Sequence, residues 1–163
     1  MTITTDALPW GLGAVLEFGS TIVAYFASPI TDQYRLILSL DTEPSSRQVL
    51  EALALLVALR GWAPSWTDRR VQLSVRSDNV TALTLLCNVQ PHSDRMGIIV
   101  REFALNIAAS SVSPDEALHI PGGLANTAAD MLSRLHQPNK APTLPDYLSA
   151  DLMWECLPRP RSQ

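Results

Sequence analysis

The sequence contains little cysteine, and this limits the kinds of site that it can build. Its two cysteines, Cys87 and Cys156, stand far apart and form no paired spacing. This pattern excludes a disulfide framework and a zinc site made of thiolates. We therefore expect a reducing, intracellular location, either cytoplasmic or nuclear.

Long apolar runs and targeting segments are also missing. The longest apolar stretch in the middle of the chain, residues 49–59, is interrupted by Glu51 and is well short of the roughly 20 residues that cross a bilayer. The first six residues lack the basic region and the apolar run of a secretory signal. We therefore expect neither a membrane span nor export.

Lysine is nearly absent. Eleven arginines and one lysine stand against sixteen acidic residues, which leaves a formal net charge of −4. This charge argues against a nucleic-acid partner, because phosphate binding depends largely on basic residues. Two bound divalent cations would offset the four excess negative charges. The arginine bias suits bidentate phosphate contacts, although GC-rich coding produces the same bias.

The composition that remains is typical of one folded domain. The 163 residues are 47% apolar and 17% charged, enough to bury one core. Five of the twelve prolines lie in the last 26 residues. This indicates a domain over residues 1–136, followed by a proline-rich linker or tail over residues 137–163. Leu152, Met153 and Trp154 in the tail can still dock on the domain or on a neighbour.

The first 28 residues predict three antiparallel strands. We expect strands over residues 3–6, 13–18 and 21–27, with a tight hairpin at Gly19-Ser20. The region that follows leaves two alternatives open, because residues 34–40 fit either an added edge strand or a loop packed on the core.

Helices follow the three strands. Pro44-Ser45-Ser46 is typical of a helix start, and apolar residues then recur at helical spacing until Gly61 ends the pattern. The order of elements predicts an α/β fold with a mixed sheet and crossover helices after the third strand. The other predicted elements are a strand over 71–75, a helix capped by Asp78-Asn79 with Leu83, Leu86 and Cys87, a helix over 95–109, a strand over 117–120, a turn over 121–123 and a last helix over 126–135.

Four acidic residues stand at unusual positions: Asp6, Glu51, Asp78 and Asp130. Glu51 interrupts an apolar helix, and a carboxylate that faces a core without a partner costs several kcal/mol. A bound cation would remove that cost. A lone glutamate more often lies on the solvent side of an amphipathic helix, so its position alone leaves both interpretations open.

Each acid lies in a longer motif. The motifs are Thr5-Asp6-Ala7 with Gly11-x-Gly13-Ala14-Val15-Leu16, Glu51-x-x-Ala54-x-x-Val57-Ala58-Leu59, Ser77-Asp78-Asn79, and His119-Ile120-Pro121-Gly122 with Asn126-x-x-Ala129-Asp130-x-Leu132-Ser133-Arg134. Together they resemble the ribonuclease H domains of retroelement reverse transcriptases, most closely the gypsy-like and DIRS-like groups. The resemblance covers residues 2–135. It implies a ribonuclease H-like fold, in which a five-stranded mixed sheet with three antiparallel strands first is flanked by helices.

The resemblance also implies an activity, the hydrolysis of the RNA strand of RNA/DNA hybrids with two Mg²⁺ or Mn²⁺ ions. Asp6, Glu51, Asp78 and Asp130 match the metal-binding carboxylates of the family. Hard oxygen ligands favour these ions, and two ions about 4 Å apart can activate a water and stabilise the leaving oxygen. His119 matches a histidine that assists proton transfer or product release. The loop between Gly122 and Asn126 is longer than in the family, so an ordinary role for His119 at a strand end stays open.

Further positions match contacts with the hybrid. Small residues of the family approach the wide minor groove of the RNA-containing helix, and arginines can meet phosphates. The matching residues are Gly11, Gly13 and Asn79 for the groove and Arg76, Arg95, Arg101 and Arg134 for phosphates.

The parent protein implied by the resemblance is a polyprotein with a covalently linked reverse transcriptase domain. We expect the separated domain to be a poor enzyme, because it lacks a basic insertion and carries a negative net charge. Two alternatives remain. A domesticated, catalytically silent module that binds RNA or protein would fit the loss of an acid, and none is lost. An integrase-like protein would use three acids at a different spacing.

Overall fold

The part of the chain that the structure describes contains five strands, four α-helices and two short 3-10 helices, Ala63–Trp66 and Ala150–Leu152. The computed structural model describes residues 1–40, 44–66, 70–79, 94–109, 112–120, 126–141 and 143–154. The strands are β1 (Thr2–Leu8), β2 (Gly11–Phe18), β3 (Thr21–Pro29), β4 (Val71–Ser77) and β5 (Val112–His119). The helices are α1 (Asp32–Ile37), α2 (Pro44–Trp62), α3 (Asp94–Ala109) and α4 (Thr127–Ser133).

The strands form one mixed sheet in the order β3-β2-β1-β4-β5. Strands β1, β2 and β3 pair antiparallel, and the hairpin between β2 and β3 places Gly19 at a φ of +62°. Strand β4 pairs parallel with β1 and with β5, as crossover connections require. The predicted α/β fold with three antiparallel strands first is therefore confirmed.

Helix α2 is buried along most of its length, because it packs against β1 and β2 on one side and α3 on the other. Every residue from 49 to 59 is buried. By length and composition alone, residues 46–66 are apolar enough to cross a membrane, but 72% of this stretch is buried inside the fold. Packing in the core accounts for its apolar composition.

Helix α4 covers the opposite face of the sheet and lies directly on the backbone of β2. Alternate residues of a strand point to opposite faces, and Val15 packs with Leu132 of α4 in a second apolar cluster. A Cβ atom added at Gly13 would lie 2.4 Å from the carbonyl oxygen of Ala129, and one at Gly11 would lie 2.5 Å from that of Ser133. The two glycines therefore permit a close approach that larger residues would prevent.

Residues 143–154 pack on the domain and cross the outer edge of β3. Leu148 is buried in the second cluster beside Tyr25. The Trp154 N–H donates to the carbonyl of Tyr25 at 2.8 Å, and Met153 forms a bridge with the same residue. The Trp154 ring then meets Phe26 edge-on at 5.9 Å in the α2 layer. Part of the predicted tail thus contacts both layers, and the boundary at residue 136 stays a prediction.

Gly61, in the last turn of α2, is expected to resist substitution because the ring of Trp154 lies against it. A Cβ atom there would be 2.5 Å from Cη2 of Trp154. A change from glycine to alanine in an exposed helix raises the free energy of unfolding by up to about 1 kcal/mol. Gly61→Ala should instead lower it by about 1–2 kcal/mol, because the added methyl group overpacks the contact with the ring. In a Trp154→Ala background the same change should stabilise. Urea unfolding of the four proteins measures this, and equal effects in both backgrounds would contradict the contact.

Two regions differ from the sequence prediction. Residues 34–40 do not form an edge strand. Residues 34–37 belong to the short helix α1, and the turn after it packs on the core through Leu38, as the loop alternative expected. Thr31 caps this helix by accepting the N–H of Tyr34 at 3.3 Å.

Strand β5 begins at Val112 and not at residue 117, because Pro114 is tolerated in an edge strand next to a bulge.

Two further helices lie close to their predicted bounds, and some other predicted features lie outside the described residues. The helix predicted from 95 begins at Asp94, and the last helix ends at Ser133 with Asn126 as its N-cap. The helix predicted after Asp78-Asn79, with Leu83, Leu86 and Cys87, lies outside the described residues, as do the turn over 121–123 and Cys156.

Candidate metal centre

Three carboxylates from three different elements converge at one end of the sheet. Asp6 lies in β1, Glu51 in α2, and Asp78 directly after β4. One oxygen of each lies within 4.8 Å of one oxygen of each of the others. Asp6 and Glu51 are buried, with exposed fractions of 4% and 0%.

The topology explains why these residues meet. The parallel register aligns Thr4 of β1 with Arg76 of β4, so the same register continued for two residues places Asp6 level with Asp78. The pairing of β1 with β4 stops at Thr4, and among the described residues no strand continues it on that side. The side chain of Glu51 can therefore reach β1 from α2, where its Oε1 accepts the Ala7 N–H at 3.3 Å.

Glu51 does not lie on the solvent side of its helix. Its Oε2 is buried and has no hydrogen-bond partner among the described residues. A buried carboxylate oxygen without a partner is costly, and two further carboxylates lie beside it. Three hard oxygen donors in one pocket form a site that fits a divalent cation such as Mg²⁺ or Mn²⁺.

Burial and mutual repulsion oppose ionisation of this cluster. Burial is the main cause that raises the pKa of Glu51 from its ordinary 4.5 to about 9, and the charges of Asp6 and Asp78 contribute. Burial also raises the pKa of Asp6, while its hydrogen bond with Ser133 acts in the opposite direction. Without a cation, Glu51 therefore holds a proton at neutral pH.

Helix α4 contributes a hydroxyl group to the cluster. The Oγ of Ser133 donates to Oδ2 of Asp6 at 2.5 Å, and it lies 2.9 Å from the carbonyl oxygen of Asp130. Ser133 is buried. This contact connects the position of α4 on the sheet to the orientation of the Asp6 carboxylate.

Asp130 lies near the cluster but does not belong to the group of three that could share one ion. Both of its carboxylate oxygens accept from Nε of Arg134, at 2.9 and 2.8 Å, and Nη2 of Arg134 lies 2.7 Å from Oδ1. Its charge contributes to the raised pKa of Asp6. The structure thus brings three of the four predicted metal ligands together and pairs the fourth with an arginine.

His119 ends β5 beside the cluster. Its Nε2 lies 3.0 Å from the backbone carbonyl of Asp78. Because a carbonyl can only accept, Nε2 carries a proton in this contact, and Nδ1 is the ring nitrogen left for another partner. The ring is exposed, so Nδ1 faces solvent next to the candidate metal centre.

The residues predicted to contact the hybrid occupy varied environments. Gly11 and Gly13 lie under α4 and have a clear packing role. The Asn79 N–H donates to Oγ of Ser77 at 3.1 Å, and Nη1 of Arg76 lies 3.7 Å from Oε2 of Glu17. Substrate contact by any of these residues stays a prediction.

Sequence reasoning missed two residues of the site, Arg47 and Ser133. Nη2 of Arg47 lies 3.9 Å from Oδ2 of Asp78, and its charge lowers the pKa values of Asp6 and Glu51. Arg47 precedes Glu51 by four residues, so the helical repeat could have placed both on one face. Ser133 follows Asp130 by three residues and could have been found in the same way.

The fold is similar to that of a solved protein. The crystal structure of RNase H1 from the halophilic archaeon Halobacterium salinarum NRC-1 matches with a TM-score of 0.55 and 18% sequence identity, over 80% of this chain and 90% of that chain. No protein-family model and no curated protein matches the sequence. The sheet order and the flanking helices agree with this likeness. The chain therefore has a ribonuclease H-like fold.

Proposed function

We propose that this protein is a metal-dependent ribonuclease that hydrolyses the RNA strand of RNA/DNA hybrids. One observation carries the proposal. The fully buried Glu51 has an oxygen without a hydrogen-bond partner in the described part of the chain, and an oxygen of Glu51 lies within 4.8 Å of one of Asp6 and one of Asp78. A cluster of this kind is costly for stability alone, and a divalent cation would compensate for it.

The donor set favours Mg²⁺ or Mn²⁺, and the proposal includes two ions. When bound, such ions supply an activated water and offset the charge of the leaving oxygen. Asp6, Glu51 and Asp78 would hold the first ion, and Asp130 would contribute to the second. Ser133 orients Asp6, and the Ala7 N–H orients Glu51. His119 offers Nδ1 as a proton acceptor at the edge of the site.

The hybrid substrate is supported by the likeness of fold and by the sequence motifs around the acids. The net charge of −4 is not an obstacle, since two divalent cations would offset it. We further propose that the chain acts inside a cell as part of a retroelement polyprotein, covalently linked to a reverse transcriptase domain. Such a link would raise the effective concentration of hybrid at the site.

A second function is favoured by one observation. The pairing of Asp130 with Arg134 leaves three carboxylates in the cluster, which fits a catalytically silent module that binds RNA or protein through the same fold. The two functions differ in a single measurable property, which is cleavage of the hybrid.

The test is incubation of a labelled RNA/DNA hybrid with Mg²⁺ or Mn²⁺. Asp78→Asn removes a charge at the cluster but keeps the size of the side chain, so we expect the cleavage rate to fall on the order of a thousandfold, equivalent to about 4 kcal/mol. The exposed residue Asp146 provides a control, and Asp146→Asn should cleave like the unsubstituted protein. Cleavage that survives Asp78→Asn would rule out this site, and hybrid binding without cleavage would favour the silent module.

A further inference from the structure

The ion pair between Asp130 and Arg134 engages both oxygens of the carboxylate. The single N–H at Nε of Arg134 is shared between the two oxygens of Asp130, at 2.9 and 2.8 Å, and Nη2 lies 2.7 Å from Oδ1. The carboxylate therefore points at the guanidinium and stands outside the group of three that could share one ion. A cation bound beside the cluster would compete with the guanidinium for its negative charge.

Asp130 lies near the cluster. It is on α4 one turn before Ser133, whose Oγ donates to Asp6 and lies 2.9 Å from the carbonyl oxygen of Asp130. The helix is therefore already in place against the cluster, and the charge of Asp130 contributes to the raised pKa of Asp6. For Asp130 to bind a second cation, its side chain would have to leave the guanidinium.

The pair is exposed enough to exchange partners. The side chains of Arg134 and Asp130 are 41% and 35% exposed, and an exposed pair of this kind changes an equilibrium constant by a factor of about five at most. A guanidinium binds phosphate with the same bidentate geometry as carboxylate. A phosphate group of a nucleic acid can thus take the place of Asp130 on Arg134.

We propose that Arg134 holds Asp130 away from the cluster until a substrate phosphate replaces it, so that substrate binding completes the second metal site. The inference rests on the proposed function and adds a regulatory step to it. Arg134 is a positioning residue in this scheme. In the absence of nucleic acid, the protein binds one divalent cation through Asp6, Glu51 and Asp78 and a second one more weakly.

Calorimetric titration of the nucleic-acid-free protein with manganese chloride tests the first part. For Arg134→Gln we expect the second binding event to tighten about two- to fivefold, while the first changes less than twofold. Asp130→Asn should remove the second event and keep the first. The control is Arg70→Gln, which removes one positive charge from an exposed position just before β4, at the other end of that strand from Asp78, and should leave both events unchanged.

Kinetics with the hybrid test the exchange of partners. Arg134→Gln should raise KM for the hybrid, because a phosphate contact is lost, and should lower the Mg²⁺ concentration that gives half the maximal rate. A merely structural role of Arg134 would not move these two quantities in opposite directions.

The outcomes separate this inference from the proposed function. A second binding event that is unchanged or weaker in Arg134→Gln overturns the inference, even if the first event is normal and the hybrid is cleaved. If the unsubstituted protein binds no Mn²⁺, or if Glu51→Gln leaves the first event unchanged, the proposed metal centre is wrong and the inference fails with it.

Discussion

Replacement of Glu51 by glutamine is expected to raise the free energy of unfolding of the metal-free protein by about 3–5 kcal/mol near pH 8 and to remove its response to Mg²⁺. The reason is the raised pKa of Glu51, about 9 in the folded state against an ordinary value of 4.5. The folded protein keeps this proton over a pH range in which the unfolded chain has lost it.

The sign of the pH effect follows from proton binding. Between the ordinary pKa and the folded-state pKa, the folded protein binds more protons than the unfolded chain, so stability falls as the pH rises. The slope approaches about 1.4 kcal/mol per pH unit for one group. Below the ordinary pKa Glu51 is protonated in both the folded and the unfolded state, and the loss of stability disappears. Glutamine is neutral at all these pH values and can still accept the Ala7 N–H, so Glu51→Gln should flatten the profile.

Metal binding should raise the stability of the unsubstituted protein at high pH. A divalent cation binds the ionised cluster, so Mg²⁺ should restore stability at high pH but not in Glu51→Gln. Urea unfolding between pH 5 and pH 9, with Mg²⁺ or with a chelator, measures both effects. The control is Glu116→Gln, since Glu116 is exposed. Identical pH profiles for the unsubstituted protein and Glu51→Gln would contradict the burial of an unpaired acid.

Gly13→Ala is expected to destabilise the fold by about 1–3 kcal/mol or more and to reduce cleavage of the hybrid as well. The new Cβ atom would lie 2.4 Å from the carbonyl oxygen of Ala129 and 2.6 Å from the backbone nitrogen of Ser133. Both are backbone atoms, so helix α4 must move away from β2. The movement would carry Ser133 away from Asp6 and disturb the candidate metal centre.

Gly19→Ala separates loss of stability from displacement of the site. Gly19 has a φ of +62° and nothing within 4 Å of an added Cβ atom, so alanine there should cost about 1 kcal/mol through backbone strain alone. Thermal unfolding gives the stability of both variants, and Mn²⁺ binding reports on the cluster at a temperature where both are folded. If Gly13→Ala binds Mn²⁺ as tightly as Gly19→Ala does, α4 does not control the orientation of Asp6.

Local patterns accounted for much of the fold. The hairpin at Gly19-Ser20 and the apolar repeat of α2 are decided by neighbouring residues, and both were predictable for this reason. One exception has a tertiary cause, and the other depends on a local contact. Pro114 is an unfavourable strand residue that an edge position tolerates. Thr31 caps a short helix within a region whose apolar residues also suited a strand.

The sequence predicted which residues belong to the candidate site better than it predicted the contacts between them. The motifs identified the acids, and the register of parallel strands places Asp6 level with Asp78. The burial of Glu51 could not be settled from its helix, since a fully buried helix has no polar face to compare with an apolar one. The packing of α2 against both the sheet and α3 decided it.

Hydrophobic periodicity and turn chemistry act between neighbours in the chain, so they were enough to predict the five strands, helices α2, α3 and α4, and the positions of the acidic residues. Which oxygen atoms meet depends instead on contacts between residues that are distant in the chain. These contacts pair Asp6 with Ser133 and Asp130 with Arg134, and they leave one oxygen of Glu51 without a partner among the described residues. In the proposed function, a second metal ion binds only when Asp130 exchanges the guanidinium for a cation.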